Sequence, residues 1–115
     1  MESMAPLRTA LFLVLLLAAG LTACGGSAIP HPTDRHVSRA QAEWPGTTRQ
    51  SLEHGRDLYV ARCSGCHTLF APTAYPAKRW REVLGKMARR ARLSREQSEL
   101  VLHYLVAMSG PGPHI

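Results

Sequence analysis

No segment of this 115-residue chain alternates apolar and polar residues with period two, so a half-buried β-strand has no support and the fold class expected is all-α. A long hydrophobic run is missing as well. The apolar stretch over residues 10–19 falls short of the roughly 20 residues that a helix needs to cross a bilayer. Acidic residues are few, 8 Asp and Glu against 14 Lys and Arg, which leaves a formal charge of +6. Cysteine is scarce, with three in the chain. No nucleophile set beside a base stands out, and nothing in the pattern argues for an enzyme.

Two of the three cysteines stand in the pentapeptide Cys63-Ser64-Gly65-Cys66-His67. Two thiols three positions apart, followed at once by an imidazole, form the arrangement that attaches c-type haem. The sulfurs add to the two vinyl groups of the porphyrin, and the ring of His67 reaches the iron as proximal ligand. Zinc would require a fourth ligand beyond Cys63, Cys66 and His67, and none is evident. A redox-active dithiol would require a strand before Cys63, which the pattern does not provide.

The N-terminal residues read as an export signal. Arg8 gives a positive n-region, residues 10–19 an h-region, and Leu21-Thr22-Ala23-Cys24 resembles the bacterial lipoprotein signal box. Residues 1–23 would then be a lipoprotein signal peptide and Cys24 the lipidated first residue of the mature protein, an anchor and not a span. The other reading of this segment is an ordinary signal peptide cut near Ala23. Residues 24–46 contain Gly25, Gly26, Pro30, Pro32, Pro45 and Gly46 without helical or strand period, and are expected to be a flexible linker, with His31 and His36 in water.

Three helices are expected in residues 47–109, with a C-terminal tail over 110–115. The first starts with Thr47 as N-cap and Gln50 as its partner, and runs to about Arg62; Leu52, Gly55 and Tyr59 share a face. Glycine inside a helix costs about 1 kcal/mol relative to alanine, so Gly55 calls for a close helix crossing. The second covers residues 77–91, where Trp80, Val83, Leu84, Met87, Ala88 and Ala91 make an apolar stripe. The third follows the Ser94-Arg95-Glu96-Gln97 capping box and stops before Gly110 and Pro111, with Leu100, Val101, Tyr104, Leu105 and Met108 as its apolar face. A domain this small has a marginal core, and a covalently held haem would complete it.

Gly55 and Tyr59 ahead of the Cys63–His67 motif, and Tyr104-Leu105 in a closing helix, give residues 47–109 a resemblance to the small class I cytochromes c. The resemblance implies a cytochrome c-like domain of three to four helices around one haem c, with an N-terminal helix crossing a C-terminal helix at Gly55 and Tyr104. It also implies a second axial ligand, usually a methionine between the motif and the last helix. Met87 has that order; Met108, His103 and a five-coordinate iron are the alternatives. Haem attachment outside the cytoplasm agrees with the export signal and with a periplasmic location on a lipid anchor.

The positive charge is concentrated in Lys78, Arg79, Arg81, Lys86, Arg89, Arg90, Arg92 and Arg95, with Glu82 alone among them. Such a segment suits an acidic redox partner or anionic headgroups, and an exported chain gives no reason to expect nucleic acid. The function implied is a membrane-anchored monohaem one-electron carrier, and the alternative is a haem-based binder or sensor of small ligands.

Overall fold

The computed structural model describes residues 29–65 and 68–110. Cys24, Cys66, His67, the signal segment and the end of the tail lie outside the described residues. Those described form four α-helices and no strand: α1 Asp34–Gln41, α2 Arg49–Cys63, α3 Ala77–Arg90 and α4 Arg95–Met108, with a 3-10 turn at Pro72–Ala74 before α3. The all-α expectation holds.

The frame is the crossing of α2 over α4. A Cβ at Gly55 would stand 2.1 Å from the Leu100 carbonyl oxygen and 3.0 Å from the Cβ of Tyr104, so the two backbones approach as only glycine permits. Tyr104 is fully buried there, and its hydroxyl donates to the Pro30 carbonyl oxygen at 2.6 Å. Leu52, Leu58 and Tyr59 of α2 and Val101, Leu105 and Met108 of α4 continue the core, and α3 adds Trp80 and Leu84.

Helix termini follow local chemistry. At the start of α4 the Ser94 hydroxyl accepts from the Gln97 N–H at 3.1 Å, and the Ser94 N–H donates to Gln97 Oε1 at 3.0 Å, as its capping box requires. For α2 the cap is Thr48 with Ser51, one residue beyond the expected Thr47 with Gln50. Both threonines carry the needed hydroxyl, and the register is decided by burial: Thr47 is inside, its Oγ1 without a hydrogen-bond partner. Helix α3 closes with the Leu93 N–H on the Ala88 carbonyl oxygen at 3.0 Å, which puts Arg92 in the left-handed region at φ 54°.

The largest correction concerns residues 24–46. A flexible linker was expected, but α1 lies within it. Thr33 is its N-cap, and the Thr33 N–H donates to His36 Nδ1 at 3.0 Å. Burial, with the charges of Arg39 and Arg35 adding to it, holds the His36 pKa below the usual 6.5. Ala40 packs with Leu52 and Ala107, while Val37 and Trp44 cover this contact. Arg39 then reaches α4 and donates to the carbonyl oxygens of Ala107 at 3.3 Å and Ser109 at 3.0 Å, the C-terminal acceptors a helix leaves unmet.

Residues 29–32 run along the other helices and are fastened by their side chains. Arg56 donates to the Ile29 carbonyl oxygen at 2.9 Å, His31 pairs with Glu53 at 2.8 Å, and Arg49 donates to the Pro32 carbonyl oxygen.

Candidate haem-binding site

The C-terminal end of α2 delivers Cys63 to a cavity of about 290 Å³ that is closed by α3 and the loop between them. The α3 stripe explains the shape. Trp80 and Leu84 turn into the core, while Val83, Met87 and Ala91 line the cavity beside them. Of the sulfur-bearing residues that the sequence singled out among the described residues, Cys63 and Met87 therefore line one cavity, and Met108 does not.

Aromatic rings form much of the remainder. Tyr75 meets Trp80 edge to face with centroids 5.1 Å apart, Tyr59 meets Trp80 the same way at 6.1 Å, and Phe70 lies 5.5 Å from Tyr75. Two hydrogen bonds fix the loop against the helices: the Tyr59 hydroxyl donates to the Phe70 carbonyl oxygen at 2.8 Å, and Trp80 Nε1 donates to the Pro72 carbonyl oxygen at 2.7 Å. Burial, with Cys63 close by, pushes the Tyr59 pKa up to about 12, so this phenol stays a neutral donor throughout the physiological range. Phe70 is 48% exposed at the cavity edge.

Two cations, Arg62 and Arg90, complete the lining. Neither forms an ion pair with a described residue. The other candidate axial groups are elsewhere. His103 stacks on Trp44 with centroids 3.9 Å apart, and Met108 is buried in the core; neither lines the cavity.

An iron porphyrin requires flat apolar walls, thiols for attachment, an axial donor and cations able to meet its carboxylates. The cavity residues fit each of these demands, with Cys63 for attachment, Met87 as donor, the four rings as walls, and Arg62 and Arg90 as cations. The aromatic wall was not read from the sequence. Its one sequence signal is the pair Phe70 and Tyr75, both placed in the loop that follows the motif.

The family model of dihaem cytochrome c matches residues 59–114, which span the Tyr59 wall, the attachment motif, Met87 and α4. The match differs from the class I monohaem resemblance drawn from the sequence, since it is to a dihaem family although the chain has one Cys-x-x-Cys-His motif. No curated protein and no solved structure matches the chain. The family match, together with Cys63 and Met87 in the lining of one apolar cavity, supports a c-type cytochrome with covalently bound haem c and haem-based electron transfer.

Proposed function

We propose that this protein is a one-electron carrier, not an enzyme, with one haem on Cys63, Cys66 and His67, Met87 as second axial ligand, and a lipid on Cys24 that holds it at the periplasmic face of a bacterial membrane. The observation that carries the reading is the presence of Cys63 and Met87 in the lining of one apolar cavity. One haem per chain follows from the thiol count, because Cys63 and Cys66 are the only pair with attachment spacing. Bound haem supplies an iron that changes oxidation state by one electron.

Everything else is done by the chain. Cys63 and Cys66 would hold the cofactor covalently, and His67 and Met87 would supply its iron with a nitrogen and a thioether donor. Thioether ligation and the apolar walls favour the less charged ferrous state, and both raise the potential. Tyr59 and Trp80 fasten the loop backbone at Phe70 and Pro72 beside the cavity.

Mass and spectrum test this reading together. The mature chain should carry the mass of one haem and one lipid-modified cysteine, and the oxidised protein should be low-spin with the weak far-red band of Fe–Met ligation. Met87→Ala should abolish that band and lower the potential. A high-spin wild-type spectrum that shifts under carbon monoxide would replace the carrier with a ligand binder.

A further inference from the structure

Helix α1 lines no part of the haem cavity, yet a run of contacts joins it to the loop that does. Its Arg39 donates through Nη1 to the carbonyl oxygens of Ala107 at 3.3 Å and Ser109 at 3.0 Å, where α4 ends. A cation at that end also meets the negative pole of the helix.

The end of α4 is in turn seated on the loop. At Gly110 a Cβ would stand 2.7 Å from the Thr73 carbonyl oxygen, so a side chain there would push the two backbones apart. Thr73 belongs to the 3-10 turn whose first residue, Pro72, is fully buried, and the Pro72 carbonyl oxygen accepts from Trp80 Nε1 at 2.7 Å. Trp80 lines the cavity, and Met87 follows it about two turns further along α3. The links therefore run from Arg39 through Ser109 and Gly110 to Thr73 and Pro72, and from there to the helix that carries Met87.

We infer that Arg39 is a positioning residue for the haem site: by clamping the last carbonyls of α4 it keeps the loop over residues 70–75 and the Met87 helix closed on the cavity. The inference rests on the carrier reading above, in which Met87 is the second axial ligand. Capping of α4 would by itself account for the two Arg39 bonds. The tight seat of Gly110 on Thr73 is what carries their effect as far as the cavity.

The test is an imidazole titration of the intact ferric holoprotein at about pH 8, where the added ligand is mostly neutral and so indifferent to surface charge. Imidazole binds iron only where the sixth position has opened, so its apparent affinity reads the open fraction. Arg39→Gln, and Gly110→Ala from the other side of the seat, should each raise that affinity about tenfold, weaken the Fe–Met band and lower the midpoint potential. Gly110→Ala does so without a change of charge. Ser94→Ala removes the cap at the opposite end of α4 and should lower the thermal midpoint while affinity, band and potential stay parental. A parental imidazole affinity in either Arg39→Gln or Gly110→Ala would overturn the inference, as would an equal rise in Ser94→Ala, and the carrier reading would stand. A parent without the low-spin spectrum and far-red band would overturn the carrier reading and this inference with it.

Discussion

At the level of single residues, Gly55 and Tyr59 have the clearest consequences. Gly55→Ala gains helix propensity but drives a methyl group against the Leu100 carbonyl, and the collision dominates. A loss of about 2 kcal/mol, read from the urea midpoint of the holoprotein, is expected. Tyr59→Phe keeps the ring in the cavity wall and deletes the bond to the Phe70 carbonyl, for about 1 kcal/mol. Its sharper readout is the potential, which should move as the loop loosens. His103 sets a pH dependence. Burial is the main reason that its pKa lies below 6.5, with Arg81 adding to the shift while Glu99 and Glu43 oppose it. The unfolded chain therefore takes up this proton first as pH falls, so stability declines as pH drops through about 6.5 and levels off below the folded pKa. His103→Gln should flatten that slope in denaturation curves taken from pH 7.5 downward; a slope unchanged by the substitution would remove His103 as its source. His36 contributes with the same sign, so part of the slope survives.

Among the elements, α3 ends on a residue with a conformational cost. Arg92→Gly should raise the thermal midpoint by relieving a left-handed residue, a gain of about 1 kcal/mol. The stripe of α3 was readable beforehand because its spacing is strict and its residues large, and Met87 was placed on the correct face for that reason. The box at Ser94 and the crossing at Gly55 were legible too, one from a four-residue pattern and the other from a residue out of place in a helix. Helix α1 was not. It has eight residues, mostly polar, and is held by Ala40 against Leu52 and Ala107, and by Arg39 on carbonyls far along the chain. Such partners leave no local trace. The bonds from Tyr59 to Phe70 and from Trp80 to Pro72 escaped for the same reason, since their acceptors are backbone oxygens of an irregular loop.

For the molecule as a whole, the cofactor and the helices depend on each other. Tyr59, Trp80, Leu84 and Leu105 belong both to the core and to the cavity lining, so one set of side chains holds the helices together and receives the haem. In a Cys63→Ala/Cys66→Ala variant most of the far-UV helical signal should disappear; retention of the full signal would show that the four helices suffice. The fastening of residues 29–32 has a mechanical meaning. A pull applied to the chain ahead of Ile29 would be met in turn by Arg56, Tyr104, Glu53 and Arg49, none of which lines the cavity. The load is shared across α2 and α4 as shear, the wall of rings around the cavity is left outside its path, and drag on a tether would not detune the redox centre.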